Sequence, residues 1–137
     1  VTGMLDAYER GHQTAILVDE SNNISEGPGF NIFSVDKSGI STPDHGVLEG
    51  ITRKTVINLA KELGLEVNTK PISIEMLKSS DELFATSTAG GVMPITKVSG
   101  EKIGLGKVGD NTRKIHKLYW EKHSDPDWTL SVEDLLK

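Results

Sequence analysis

A chain of 137 residues with 36% hydrophobic and 26% charged residues is long enough to bury the core of one domain and too short for two complete ones. Its 15 basic and 20 acidic residues give a net charge of -5, and no run of Lys or Arg forms the basic footprint of a nucleic-acid-binding protein. The absence of cysteine excludes disulfides and thiolate chemistry, and no stretch approaches the roughly 20 apolar residues that span a membrane, so we expect a soluble protein of the reducing cytoplasm.

The chain starts with Val rather than Met and enters a helical pattern at once. Residues 3–11 are predicted to form a short helix that carries Met4, Leu5 and Tyr8 on one face and ends at Gly11. Nothing in the sequence before this helix resembles a signal peptide. We therefore expect a fragment that begins inside a longer protein.

Strand and turn patterns come next. The apolar residues 15–18 predict a buried strand, followed by a polar turn at residues 19–23. Residues 30–35 predict a second strand, which turns at residues 36–39 and returns as a short strand over residues 40–42.

Two amphipathic helices are predicted from apolar residues at helical spacing. The first covers residues 51–63, with Gly64 as the helix-ending glycine, and its apolar positions are Val56, Leu59, Ala60 and Leu63. The positions that predict the second helix are Val108, Thr112, Ile115 and Tyr119.

Shorter elements lie between and after these helices. They are a strand at residues 65–68, a helical turn at 74–77, a strand within 81–88, and a strand pair at 95–102 that turns at Ser99 and Gly100. Residues 124–137 form a tail in which Leu135 and Leu136 are expected to dock. Because strands and helices mix without strict βαβ alternation, we predict an α/β or α+β domain over residues 1–123, with a mixed sheet and packed helices.

Three loops have features of an anion site. In residues 46–53 the backbone N–H groups of Ile51 and Thr52 lie at the start of the predicted helix, where free amides and the helix dipole favour phosphate. Gly50 permits close approach, and the Thr52 hydroxyl is a further donor. An ordinary helix start has the same pattern, so both interpretations stay open at this point.

The other two loops flank predicted strands. The hydroxyl- and glycine-rich residues 86–91 follow a strand, as phosphate or carboxylate sites do, although permissive polar loops share this composition. In residues 25–31 the lone acid Glu26 stands among glycine and proline. It is able to hold a ligand's ring nitrogen in its protonated form, or simply to be an exposed hairpin residue.

Two further patterns are interpreted as structural. Residues 104–109 match G-x-G-x-x-G before a helix, but they follow a polar hairpin and lack the βαβ context of a dinucleotide site. The histidines are not spaced as metal ligands and are His12, His45, His116 and His123. We expect neither a dinucleotide nor a metal ion.

Taken in order, the three loops resemble the successive motifs of fold-type IV pyridoxal-phosphate enzymes. The matching stretches are Ser25-Glu26-Gly27-Pro28-Gly29-Phe30-Asn31-Ile32, Gly46-Val47-Leu48-Glu49-Gly50-Ile51-Thr52-Arg53-Lys54 and Thr88-Ala89-Gly90-Gly91-Val92-Met93-Pro94-Ile95. The group includes branched-chain aminotransferases, D-amino-acid aminotransferases, R-selective amine transaminases and aminodeoxychorismate lyases, and the third stretch resembles the branched-chain and R-selective branches. The resemblance extends over residues 5–120 and implies the large, cofactor-binding domain of that fold.

The resemblance implies a role for each matched residue. Glu26 would pair with the pyridine nitrogen of the cofactor, pyridoxal 5'-phosphate, and keep it protonated. The phosphate would be held by Ile51, Thr52 and Thr88, with Ser87 standing beside Thr88 where the family has threonine or glycine.

The remaining matched residues would shape the pocket. Leu48 would pack on one face of the ring, and Phe30 and Asn31 would line the same pocket. Thr88 and Ala89 would border the substrate carboxylate.

The lysine that forms the Schiff base in this family lies upstream of the helix matched by residues 3–11, and no lysine precedes Lys37 here. We therefore expect the fragment to be inactive by itself and to lack the small N-terminal domain of its relatives. The resemblance implies that the intact protein is a homodimer, without nucleic-acid or membrane partners, that transfers an amino group between an amino acid or amine and a 2-oxo acid. A lyase of the same fold and a non-catalytic interaction module stay open as alternatives.

Overall fold

The computed structural model describes residues 2–136. Its helices are α1 (Thr2–Glu9), α2 (Ile51–Glu62), α3 (Ile74–Lys78), α4 (Asp110–Glu121) and α5 (Val132–Leu135), with a 3₁₀ turn at Lys122–Ser124. Its strands are β1 (Asn31–Asp36), β2 (Gly39–Thr42), β3 (Val67–Thr69), β4 (Glu82–Ser87), β5 (Gly91–Pro94), β6 (Lys97–Val98) and β7 (Glu101–Lys102).

A five-stranded mixed sheet is the centre of the fold, with strand order β3-β2-β1-β4-β5. β2 and β3 run parallel, with α2 as the connection between them, whereas the other neighbours in the sheet are antiparallel. β6 and β7 form a separate two-stranded ribbon. The predicted fold class, a mixed sheet with packed helices, is confirmed.

Alternating side chains give the sheet two apolar faces. Phe33 and Phe84 stack with ring centroids 4.9 Å apart in the cluster that α2 and α4 cover. Ile32 and Leu83 belong to the opposite cluster, which α3 closes with Leu77. The candidate functional site lies at the end of the sheet where β1 begins and β4 ends.

The helices form where the apolar period matches the helical turn. Behind α2, Gly64 has a φ of +74°, the left-handed conformation that glycine tolerates at a helix end. α1, α3 and α4 also lie at the predicted positions, as does the β6–β7 pair with its turn at Ser99 and Gly100.

Residues 15–18 do not form the predicted buried strand. Leu17 and Val18 are exposed, and the backbone of Leu17 bonds to Ser25 and Glu26 in a narrow loop. Of this run only Ile16 packs against a core cluster, and Leu17 instead lies against Gly3 of α1 at the surface.

The fifth strand of the sheet, β5, begins at the end of the predicted 86–91 loop and covers residues for which no element was predicted. Gly91 and Pro94 have low strand propensity, but all four residues of β5 pair with β4. In the tail, Leu135 and Leu136 do not dock as predicted. They are 67% and 82% exposed, because α5 packs against neither core cluster.

Candidate functional site

Two buried polar residues face the helices at the end of the sheet. Asn31, the first residue of β1, pairs with Thr86 of β4. By strand alternation both lie on the side of Phe33 and Phe84, which α2 and α4 cover. The hydroxyl oxygen of Thr86 has no hydrogen-bond partner among the described residues. Buried hydroxyls are rarely left without a partner, so this one is a candidate for contact with a bound ligand or water.

A tight turn at residues 27–30 connects Glu26 to the start of β1. The sequence Gly27-Pro28-Gly29-Phe30 has the signature of a type II turn, with a φ of +82° at Gly29 and a hydrogen bond from the Phe30 N–H to the Gly27 carbonyl. The Phe30 ring folds back over Gly27, where any Cβ would overlap it. The glycine therefore permits the compact turn that sets the direction of Glu26.

The Glu26 carboxylate is joined to the loop before α2. Its Oε2 accepts a hydrogen bond from the Leu48 N–H at 2.9 Å and another from Asn31 Nδ2 at 3.2 Å. Asn31 Nδ2 also donates to the Leu48 carbonyl at 2.9 Å. Both bonds to the carboxylate go to Oε2, and no group within residues 2–136 donates to Oε1, so one oxygen is left for a ligand.

α2 begins close to this network without a side-chain cap. Its N-cap residue is Gly50, which has no side chain to bond the first amides of the helix. A Cβ at Gly50 would lie 2.8 Å from Asn31 Oδ1, so the helix start packs directly on Asn31. The free amides of Ile51 and Thr52 and the helix dipole therefore favour an anion at this position.

The turn between β4 and β5 completes this end of the sheet. Residues 88–90 connect the paired residues Ser87 and Gly91. The Ser87 hydroxyl accepts a hydrogen bond from the Gly90 N–H at 2.9 Å, so this predicted site residue helps to close the turn. The residues exposed at the tip are Thr88 and Ala89.

The remaining predicted residues differ in exposure. The side chains of Leu48 and Ile51 are 73% and 85% exposed beside the helix start, whereas Thr52 is buried in the first turn of α2. Phe30 packs against the second core cluster. No hydrogen bond among the described residues joins the helix start to the 88–90 turn, so their approach to one ligand stays a prediction.

Arg53 is a residue of this region that sequence reasoning missed. It is only 7% exposed in the first turn of α2, where Nη2 donates to the Pro43 carbonyl at 3.0 Å and Nε has no partner among residues 2–136. A buried cation near the positive end of a helix dipole adds to the preference for an anion. The signal was its spacing, because Arg53 falls in the helical register of the buried Val56 and Ala60.

Packing explains the G-x-G-x-x-G segment. Glu82 inserts its carboxylate at the start of α4 and accepts four hydrogen bonds, between 2.8 and 3.1 Å, from Asn111 and Thr112. Burial acts to raise the pKa of Glu82, but these bonds outweigh it and hold the pKa below its ordinary value. A Cβ at Gly109 would overlap this carboxylate. The place that a pyrophosphate needs at the start of α4 is therefore taken by a side chain of the protein.

The histidines have local structural contacts. Nδ1 of His116 lies 2.9 Å from the Val92 carbonyl, and Nδ1 of His45 lies 2.9 Å from Asp44 Oδ1. In the part of the chain that the structure describes, no group of three or more His, Asp or Glu side chains is arranged to hold a metal ion. Within the same residues, no helix combines the length and apolar character needed to cross a bilayer.

The sequence matches a known family and its members. The family model described as amino-transferase class IV matches residues 1–98. A protein of Methanocaldococcus jannaschii is 36% identical over 136 residues, which cover 98% of this chain and 46% of that protein. The branched-chain-amino-acid aminotransferase of Escherichia coli K12 is 38% identical over 117 residues, which cover 84% of this chain and 38% of that enzyme.

Solved structures of branched-chain aminotransferases are similar to this chain as well. The branched-chain amino acid aminotransferase of Thermobaculum terrenum, in its form with pyridoxal phosphate, has a TM-score of 0.86 and 33% identity, over 92% of this chain and 43% of that chain. The branched-chain aminotransferase of Thermoproteus uzoniensis with norvaline has a TM-score of 0.85 and 34% identity, over 93% and 43%. The chain spans less than half the length of the curated relatives it matches.

Proposed function

Because the chain belongs to the class IV aminotransferase family, we propose that it is the cofactor-binding part of a pyridoxal-phosphate-dependent aminotransferase. In this proposal residues 1–123 form the cofactor-binding domain and residues 124–137 form a C-terminal tail. The Schiff-base lysine and a smaller domain belong to sequence upstream of this chain. The greater length of the matched relatives supports that division.

The observation that carries the proposal is the hydrogen bond of 2.9 Å from the Leu48 N–H to Glu26 Oε2. It joins an acid to a loop that reaches an uncapped helix start at Gly50. A ligand with a basic ring nitrogen at one end and a phosphate at the other matches these two features. The Thr86 hydroxyl, which has no hydrogen-bond partner within residues 2–136, and the buried Arg53 add support for an anionic ligand at this end of the sheet.

The acid and its neighbours fit the ring of pyridoxal 5'-phosphate. That cofactor supplies an electron sink for the negative charge that develops on the substrate. Glu26 holds the proton on the pyridine nitrogen, and Asn31 and the Leu48 N–H keep its carboxylate in place. The side chain of Leu48, which is exposed here, would cover one face of the ring and exclude water from it. Phe30, which the resemblance places in the same pocket as Asn31, packs against the opposite core cluster and supports the turn that carries Glu26.

The helix start and the 88–90 turn fit the phosphate. The backbone N–H groups of Ile51 and Thr52, the Thr52 hydroxyl and the Thr88 hydroxyl would donate hydrogen bonds to its oxygens. Ser87 supports the turn through its bond to Gly90, and Thr88 with Ala89 borders the substrate carboxylate.

For the intact protein we propose transfer of an amino group between a branched-chain amino acid and a 2-oxo acid. The names of the Escherichia coli and Thermobaculum terrenum relatives support this substrate class. A lysine upstream of this chain would hold the cofactor covalently and would serve as the general base. A homodimer in the cytoplasm is part of the same proposal.

The test uses protein translated from the complete reading frame. L-Leucine and 2-oxoglutarate are supplied, and the glutamate formed is measured. We expect Thr52→Val to weaken cofactor binding about tenfold, since it removes one hydrogen bond to a charged phosphate. Thr55→Val, one turn further along α2, is the matched control and should leave cofactor affinity unchanged.

Two results would contradict the proposal. One is the absence of glutamate with leucine, isoleucine and valine as amino donors. The other is an equal loss of cofactor affinity in Thr52→Val and Thr55→Val. Elimination from an amino substrate without a 2-oxo acid would instead indicate the lyase.

A further inference from the structure

The turn at residues 88–90 rests on two aromatic side chains of α4. Gly91, directly after the turn, has a φ of +63°, and a Cβ there would lie 2.7 Å from Tyr119 Cε1 and 3.1 Å from Trp120 Cζ2. Real Cβ atoms essentially never approach other atoms to less than 3.0 Å. The backbone behind the turn is therefore in direct contact with the ring pair, and no side chain fits between them.

The two rings are themselves held in place. Tyr119 packs on the core cluster beneath α4 and meets Trp120 edge to face, with ring centroids 5.3 Å apart and planes at 84°. Trp120 stacks on His123 at 4.7 Å, and His123 Nδ1 lies 2.9 Å from the Tyr119 carbonyl. The ring pair is thus a braced support for the turn.

α4 is fastened to the β4–β5 hairpin at two further points. At the start of β4, Glu82 accepts four hydrogen bonds from the N-terminus of α4. Near the start of β5, the Val92 carbonyl lies 2.9 Å from His116 Nδ1. With the ring contact at Gly91, these bonds fix the hairpin to the helix at both ends of β4. The position of the turn therefore follows from the position of α4.

We propose that Tyr119 and Trp120 are positioning residues for the phosphate-binding turn, because the ring pair sets where Thr88 presents its hydroxyl and amide groups. The inference rests on the proposed function, since it takes Thr88 to bind the cofactor phosphate. Hydrogen bonds to charged groups are short and directional, and a displacement of about 1 Å is enough to lose one. Neither ring touches the phosphate in this arrangement.

The test compares two ligands of the 137-residue chain, pyridoxamine 5'-phosphate and pyridoxamine, which lacks the phosphate. The ratio given by the dissociation constant of pyridoxamine divided by that of pyridoxamine 5'-phosphate measures how much the phosphate contributes to binding. A purely structural defect lowers thermal stability and weakens both ligands alike, whereas a displaced turn lowers the ratio. Neither ligand carries an aldehyde, so lysine side chains do not react with them.

Tyr119→Ala removes the support, and we expect the ratio to fall about tenfold, which corresponds to one hydrogen bond to a charged group. Tyr119→Phe retains the ring and should retain the ratio. Ile115→Val is the matched control, since it loosens the core under the same helix without facing the turn. Should Tyr119→Ala fail to fold, Trp120→Ala removes a half-exposed ring and should lower the ratio about threefold.

The positioning role is overturned if the ratio is unchanged in Tyr119→Ala or Trp120→Ala, or falls equally in Ile115→Val. A different failure appears in the unaltered chain. If that chain does not prefer the phosphorylated ligand, the proposed function itself is wrong. The measurement on the unaltered chain therefore separates the two failures.

Discussion

The side-chain nitrogen of Asn31 lies 3.2 Å from Glu26 Oε2, so the first residue of β1 fixes the acid of the proposed cofactor site. The same nitrogen donates to the Leu48 carbonyl at 2.9 Å. An amide provides two hydrogens, one for each acceptor, which no hydroxyl or carboxylate does. One side chain therefore joins the sheet, the acid and the loop that leads to α2.

Asn31→Asp tests these hydrogen bonds directly. The substitution replaces a donor with a second carboxylate beside Glu26, so we expect it to lower the free energy of unfolding by about 1–3 kcal/mol at pH 7. Urea denaturation measures the change. Asn31→Ala is the control, because it loses the same bonds without adding charge and should destabilise less. Equal losses in the two variants would contradict a direct contact between the amide and the acid.

Gly50→Ala tests the contact between the helix start and Asn31. The backbone of Gly50, with φ −60° and ψ 145°, is allowed for alanine, so no dihedral strain is added. A new Cβ would lie 2.8 Å from Asn31 Oδ1, and we expect a destabilisation of about 1–3 kcal/mol. In the Asn31→Ala background the added cost should largely disappear. Additive losses in this double-mutant cycle would show that the two residues do not interact.

The acid-side stability of the fold should depend on Glu82. Because the hydrogen bonds at α4 hold its folded pKa below the ordinary value of 4.5, its contribution is present above that value and is lost as the pH falls through the folded pKa. We expect Glu82→Gln to be about 1 kcal/mol less stable than the unaltered chain at pH 7, with a smaller gap at pH 3.

Urea midpoints between pH 3 and pH 7 measure this gap. Glu20→Gln, in an exposed turn, is the control and should leave the pH profile unchanged. If the difference in unfolding free energy between Glu82→Gln and the unaltered chain stays constant over the whole pH range, Glu82 is not the source of the acid-side stability.

Local patterns were sufficient to predict helices α1 to α4 and the turn glycines, but not the short helix α5 in the tail. The 3.6-residue period of α2 and the positive φ of Gly64 depend on neighbours within one turn of the chain. β5 was not predictable in this way, because Gly91 and Pro94 are poor strand residues whose pairing depends on β4. Burial of Leu17 likewise depends on which element covers it, and no residue spacing contains that information.

The motifs predict individual site residues but not the contacts between them. Glu26, Thr52 and Thr88 were identified from motifs that resemble a family. The sequence did not predict that Asn31 bridges Glu26 to Leu48, because the partners are 5 and 17 residues apart and meet only when the sheet forms. The lack of a hydrogen-bond partner for the Thr86 hydroxyl within residues 2–136 is also a result of tertiary packing.

The protonation of the ring nitrogen in bound pyridoxamine 5'-phosphate tests the pairing with Glu26 most directly. The ligand carries ¹⁵N in its pyridine ring, and its chemical shift is followed against pH with the unaltered chain, Glu26→Gln and Glu20→Gln. We expect the unaltered chain and Glu20→Gln to keep the ring protonated to a higher pH than in the free ligand, and Glu26→Gln to abolish this difference. The same protonation midpoint in Glu26→Gln and the unaltered chain would contradict the pairing of Glu26 with the pyridine ring.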